Sequence, residues 1–409
     1  MLGIAMLLPW NIIVFAVDYF DFLYPGESFE YWSAAAYIVP QLPMAVVMMR
    51  HGEKVSAVAR LFSALLAQTV LLLAIPEVSS NLSDAKDISM IISLVLIALS
   101  GFAAQVTISS VLSFAAQLPP VCTQAVLVGL GATGVLGALG RIATKATVTE
   151  PSVSGLVFFA VGAAFSAIAA MGLIWLSNTR YTEYHINKAF HRRNTSRTTS
   201  SAASAGRHRV WAPLITDVER GEPPLERGSW AHFSELSGKV WAYASSAAVV
   251  FFTTFVLWPG EMTNIHYKHT FSTFNDLDHA HWWPIVLLTV FNIFDLASRC
   301  LPQKYYQCGE KFALLSSIAR AMIFVPLFVY TASTDDPVVF DDAFAVAMVA
   351  LFAVTNGYLA TVALLCAPAK VQPDDKESAG LFMTLFLQSG SFMGTLCGLA
   401  LNQMHVHTQ

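Results

Sequence analysis

Long apolar runs set the organisation of this chain. The stretches 55–75, 88–117, 153–177 and 240–258 are almost unbroken in hydrophobic residues. Each reaches the ~20 residues that a helix needs to cross the hydrocarbon layer of a bilayer. Extended along the chain, the pattern predicts an all-α polytopic membrane protein of eleven helices. They fall at 2–22, 32–49, 56–76, 88–117, 120–145, 153–177, 239–258, 283–302, 312–331, 340–366 and 378–401. Residues 1–20 lack the basic n-region and small-residue cleavage site of a signal peptide, and Asp18 interrupts their far end. The start is therefore expected to be a first transmembrane helix.

One long polar segment, 178–238, breaks the series. It holds Arg192, Arg193, Arg197 and Arg207, a Ser/Thr-rich stretch from Asn194 to Ser204, then Asp217, Glu219, Glu222, Pro223 and Pro224. Such a composition cannot bury a core and predicts a disordered loop. It separates an N-terminal bundle of helices 1–6 (1–177) from a C-terminal bundle of helices 7–11 (239–401), with a tail at 402–409. The basic loop shares one side with the Lys/Arg-bearing turns at 50–54, 304–311 and 370–376, and positive charge marks that side as the cytosol. The N-terminus is then cytoplasmic and the C-terminal tail external. Asn81-Leu82-Ser83 falls outside, as a glycosylation sequon at Asn81 should; with the basic cytoplasmic loop it fits the plasma membrane. Two bundles joined by a long cytoplasmic connection is the layout of transporters that rock about a midplane site.

Composition agrees and removes other classes. Charged residues make up 12% of the 409, about half of what a soluble surface carries, and mean hydropathy is +0.57. A net charge of −4 gives no reason to expect nucleic acid as a partner. The five cysteines are scattered without CxxC spacing, so they read as small hydrophobes. His266, His269, His279, His281, His405 and His407 include zinc-compatible spacings, but an irregular loop imposes no geometry and no metal is assigned. No Walker loop, nucleophile elbow or HExxH motif occurs. The expectation is a non-enzymatic membrane protein that needs no cofactor.

Polar residues at membrane depth are costly, so they point to function. The eighth predicted helix carries Asn292, Asp295 and Arg299, whose spacings of 3, 4 and 7 form one stripe. An acceptor carboxylate, a five-donor guanidinium and an amide suit a polyhydroxylated ligand such as a sugar; the competing reading is a structural Asp–Arg pair. The fifth helix carries Gly131, Gly134 and Gly137, a spacing that lets helix backbones approach closely. Arg141 follows near the outer side, against the positive-inside trend, and is expected to face the bundle interior. Arg320 on the ninth helix is expected to be buried or to snorkel to the cytoplasmic face. Asp18 lies near the outer interface, and Trp10, on composition alone, reads as an interfacial belt residue.

In order along the chain, several motifs resemble the equilibrative nucleoside transporter family, in the form of its plant members. They are Gly3-IAMLLPWN-Ile12 with Asp18-Tyr19-Phe20, Gly129-LGATGVLGALGRIATKA-Thr147, Phe291-NIFDLAS-Arg299, Ala319-RAMIFVP-Leu327, Thr355-NGYLATVALLCAPAK-Val371 and Ser378-AGLFMTLFLQSG-Ser391. Ser298 stands where the eighth-helix motif usually has glycine. The resemblance implies a major-facilitator-like six-plus-five arrangement, nucleosides as substrates, Asp295 and Arg299 on the ribose, and Trp10 in the cavity wall. The position where the family often has a base-reading glutamine falls on Ile108, with Gln105 one turn earlier as a substitute. Nucleobases then join nucleosides as expected substrates. Alternating access is the expected mechanism, facilitative or proton-coupled, with Asp18 and Asp295 as the candidate proton acceptors. The different-class alternative is a multi-span receptor or channel-like protein.

Overall fold

The computed structural model describes residues 1–25, 29–52, 55–81, 85–148, 150–179, 230–258, 260–267, 283–301, 309–333 and 341–408. Most of the predicted loop, and His269, His279 and His281, lie outside the described residues. The rest is helical throughout. In chain order the helices are α1 (Leu2–Phe15), α2 (Val17–Leu23), α3 (Phe29–Ile38), α4 (Gln41–His51), α5 (Ala57–Asn81), α6 (Lys86–Ala116), α7 (Pro120–Thr147) and α8 (Pro151–Ser177). They continue with α9 (Trp230–Leu257), α10 (Gly260–Thr263), α11 (Trp283–Arg299), α12 (Glu310–Ser333), α13 (Asp342–Cys366) and α14 (Lys376–Thr408).

The long helices are inside-out relative to a soluble protein. On α5, Phe62, Leu66, Val70 and Leu73 are exposed while Arg60, Gln68 and Ser79 are buried. On α6, Ile88, Ile91, Val95 and Leu99 are exposed while Ser93, Ser100 and Gln105 are buried. A helix with this polarity is stable only where its outer face meets lipid. Nine helices among the described residues are long and apolar enough to cross a membrane, the pair α3–α4 counting as one. The predicted eleven differ from these nine because α1 has 14 residues and α11 has 17.

Four boundaries depart from the sequence expectation. The first predicted helix breaks at Ala16 (φ −89°, ψ 19°) into α1 and α2. The second breaks at Val39-Pro40 into α3 and α4, since proline cannot donate into the preceding turn. Residues 230–238, expected to be loop, form the first turns of α9: His232, Phe233 and Leu236 bury one face while Glu235 and Lys239 pair at 2.7 Å on the exposed one. The predicted tail at 402–409 continues α14 to Thr408.

Buried polar side chains lock these helices pairwise. Gln68 Nε2 donates to the Ser100 carbonyl (2.8 Å), and the Ser100 hydroxyl donates to Gln68 Oε1 (2.7 Å), joining α5 to α6. The Ser246 and Ser317 hydroxyls meet at 2.7 Å between α9 and α12. Arg320 does not snorkel. It is 2% exposed, 4.1 Å over the Phe352 ring, and donates to the Val250 carbonyl (3.1 Å), the Thr254 hydroxyl (3.1 Å) and the Thr355 hydroxyl (3.2 Å). One guanidinium thus ties α9, α12 and α13 together.

The glycines of the α7 stripe lie where neighbouring side chains come close. A Cβ on Gly131 would lie 2.7 Å from Arg299 Cδ, one on Gly134 would overlap Asn292 Oδ1, and one on Gly137 would press on Phe15 and Asn11. These glycines let α7 close on α11 on one side and α1 on the other. Gly134→Val should therefore destabilise the fold by about 1–3 kcal/mol through overpacking. Gly238→Ala, where nothing lies within 4 Å, should be neutral or stabilise by at most about 1 kcal/mol. Thermal unfolding of the detergent-solubilised protein measures both.

Candidate functional site

The eighth-helix stripe sits on α11, and Asn292, Asp295 and Arg299 are all buried on its inner face. Arg299 grips Asp295 with two bonds, Nε to Oδ2 at 2.7 Å and Nη2 to Oδ1 at 3.2 Å. Asn356 on α13 donates Nδ2 to the same Oδ1 at 2.7 Å. Asn356 is itself oriented, because its Oδ1 lies 2.6 Å from the Thr254 hydroxyl and 3.5 Å from Arg320 Nη2. Asp295 is thus fixed by a chain of side chains that ends at Arg320. This level of satisfaction is what a charge removed from water requires. Ser298, the departure from the usual glycine, donates to the Asp295 carbonyl at 2.8 Å. Room for its hydroxyl comes from the facing helix, where any Cβ on Gly357 would overlap Ser298 Oγ.

These residues border a cavity of about 100 Å³ between the helices. Its walls differ in character. Asn292, Asp295, Arg299 and Asn356 form a charged wall on α11 and α13, backed by Gly131 and Gly134. Gln41 on α4, Ile108 and Leu112 on α6, and Gln388 and Ser391 on α14 form an uncharged wall. Trp10, Tyr37, Phe255, Trp258 and Phe291 supply aromatic faces between them. Trp10 stacks on Tyr37 with centroids 4.9 Å apart, and Trp258 stacks on Phe291 at 6.0 Å.

Five buried polar atoms on these lining residues have no hydrogen-bond partner among the described residues: Trp10 Nε1, Tyr37 Oη, Trp258 Nε1, Arg299 Nη1 and Gln388 Nε2. Buried polar groups are nearly always paired. A concentration of unpaired donors around one cavity marks a place where a polar ligand completes the bonding.

The structure brings together Trp10, Asn292, Asp295 and Arg299 of the residues singled out from sequence. Gln105 does not line the cavity; its Nε2 donates to the Ser109 hydroxyl at 2.9 Å, and Ile108 takes the lining position. Asp18 is also elsewhere. Arg141 Nη2 and Nε donate to its Oδ1 at 2.6 and 3.0 Å, and Lys145 stands 3.7 Å from its Oδ2. Arg141, expected to face inward, is 3% exposed and also donates to the Ser154 hydroxyl, so it binds α7 to α2 and α8. Asn81 is exposed at the end of α5, donating Nδ2 to Glu77 at 2.7 Å. Sequence reading missed Tyr37, Gln41, Trp258, Asn356 and Gln388. A lone glutamine in an apolar span was the available signal for Gln388, but weight had gone to ionisable groups.

A bundle of membrane-length helices with a polar cavity at its centre is the architecture of a membrane transporter, and solved structures share it. The chain superposes on the proton:xylose symporter XylE of the major facilitator superfamily with a TM-score of 0.57 at 10% identity, covering 99% of this chain and 89% of that one. It superposes on the nucleoside transporter NupG with a TM-score of 0.53 at 15% identity, covering 100% and 90%. Among relatives by sequence, equilibrative nucleotide transporter 1 of Arabidopsis thaliana is 26% identical over 97% of this chain and 83% of its own length. Human equilibrative nucleoside transporter 2 is 26% identical over 98% and 94%. The nucleoside transporter family model matches residues 91–402. The chain belongs to the nucleoside transporter family and is an integral membrane protein.

The Asp18–Arg141 bond predicts a coupling that is structural and remote from the ligand. Asp18→Asn and Arg141→Gln should each lower thermal stability, and the double variant should fall short of their sum by about 1 kcal/mol. A double-mutant cycle on the purified protein reads this directly.

Proposed function

We propose that this chain carries nucleosides, and nucleobases with them, across its membrane by alternating access. The observation that carries the reading is the buried Asp295–Arg299 pair in a cavity ringed by unpaired donors. The carboxylate accepts hydrogen bonds from vicinal sugar hydroxyls, and Arg299 Nη1, unpartnered among the described residues, donates to a sugar oxygen. The aromatic faces of Trp10, Tyr37 and Trp258 accommodate a flat heterocycle, while their free N–H and O–H groups bond its polar edge. Membership of the nucleoside transporter family, and the printed names of its relatives, support the same substrate class.

The closed end of the bundle supports the mechanism. Arg60 at the start of α5 stands 3.5 Å from Glu377 at the start of α14, both buried. Beside them, Gly380 lets α14 press on the backbone of Leu112 and Ser113 in α6. These contacts join residues from 1–177 to residues from 239–401, so opening at this end requires breaking them while the bundles rock. Positive charge in the adjoining turns makes this the cytoplasmic end, which puts the N-terminus in the cytosol and fits a plasma-membrane protein. Any coupled proton falls to Asp295 rather than Asp18, because only Asp295 lines the cavity. Uptake with and without an imposed proton gradient separates coupled from facilitated transport.

Radiolabelled uridine and adenosine uptake into cells expressing the chain tests the reading. The wild type should accumulate both. Asp295→Ala should cut uptake at least about tenfold with the protein still present at the membrane. Undiminished uptake in that variant would contradict the assignment.

A further inference from the structure

The charged wall accounts for a sugar, but it leaves the uncharged lining residues without a task. We infer that Gln388 on α14, with Gln41 on α4, reads the hydrogen-bonding edge of the nucleobase. The inference rests on the transport reading above and deepens it.

Gln388 is 2% exposed, lines the cavity, and its amide nitrogen has no partner among the described residues. A buried primary amide left wholly unbonded is costly unless a ligand completes it. Gln41 is 3% exposed and lines the same wall. Its Nε2 is already committed, donating to the Tyr37 carbonyl at 3.0 Å. That bond orients the side chain and leaves Oε1 as its available end. The cavity therefore offers one amide donor from Gln388 and one amide acceptor from Gln41, and its lining includes the Tyr37 hydroxyl, unpartnered among the described residues.

The complement of one donor and one acceptor is an edge that carries both an acceptor and an N–H. The N3–H and neighbouring carbonyl of uracil form such an edge, as do N1–H and O6 of hypoxanthine and guanine. Adenine and cytosine offer the same pair through an exocyclic amine and a ring nitrogen. The wall thus recognises the polar edge common to nucleobases rather than one base, and it rejects ligands in which that edge is capped. Ile108 and Leu112, which also line the cavity, contribute only an apolar surface. Ile108, one turn after Gln105, therefore does not do the reading in this chain.

The test uses the full chain, with uridine and 3-methyluridine as the matched pair, since methylation removes N3–H and keeps the ribose. Wild type should favour uridine over 3-methyluridine by about tenfold or more in uptake efficiency, because the methylated base leaves a buried acceptor unpaired. Gln41→Leu, which removes the acceptor for N3–H, should bring the two substrates to within about twofold, whereas Gln388→Leu, which removes the donor to the carbonyl both substrates keep, should lower the two in parallel by about fivefold or more. Gln388→Glu, which replaces the donor with an acceptor, should depress uridine uptake further than Gln388→Leu. Asp295→Asn should lower both substrates in parallel and keep their ratio. A wild-type ratio retained in Gln41→Leu, undiminished uptake of both substrates in Gln388→Leu, or wild type taking the two substrates equally, would overturn the assignment while nucleoside transport stands. Absence of uptake of either substrate by the wild type would overturn the transport reading and this inference together.

Discussion

A carboxylate held at membrane depth needs partners, and the architecture around Asp295 follows from that need. Water cannot solvate it, so Arg299 and Asn356 do, and Asn356 is held in turn by Thr254 and Arg320. Such a group is destabilising unless it is fully paired; here Arg299 comes from the same helix, and Asn356, Thr254 and Arg320 come from three others. The glycines of α7 have their place in this scheme. Without them α7 could not approach the side chains of Asn292 and Arg299, and the charged wall would lose its backing. Gly357 plays the same part from α13, making space for Ser298.

Around the cavity the satisfaction among the described residues is nevertheless incomplete by five atoms. Other buried polar side chains close on each other, as Gln68 does with Ser100 and Ser246 with Ser317. At the cavity, Trp10, Tyr37, Trp258, Arg299 and Gln388 each keep a buried atom unbonded. The contrast separates polar groups that hold helices together from polar groups arranged for a visitor. It also explains why Arg320 and Arg141, buried guanidiniums like Arg299, read as structural: their bonds are made within the protein.

Much of the fold was legible from the apolar runs, because a lipid-facing helix must show a long hydrophobic stretch whatever its neighbours. The start of α9 was not, because His232, Glu235 and Lys239 disguise a helix that buries only one face before entering the membrane. The breaks at Ala16 and Pro40 escaped because hydropathy reports depth and not backbone continuity. At the site, the α11 stripe was visible because charge within an apolar run stands out. Gln388 and Asn356 did not stand out, since single amides in membrane helices usually bond across to a neighbour. Only placement showed that one of them, Gln388, does not. Pairing was equally hidden: nothing in the spacing of Asp18 and Arg141 announces that α2 and α7 meet there.

The central claim is that one cavity, with a charged wall for the sugar and free donors for the base, holds the transported molecule. A structure of the chain with uridine bound tests it most directly. The account predicts the ribose hydroxyls within hydrogen-bond distance of Asp295 and Arg299, and the base between the aromatic faces of Trp10 and Trp258. Uridine resolved at another place in the bundle, or in this cavity with its ribose turned away from Asp295, would contradict it.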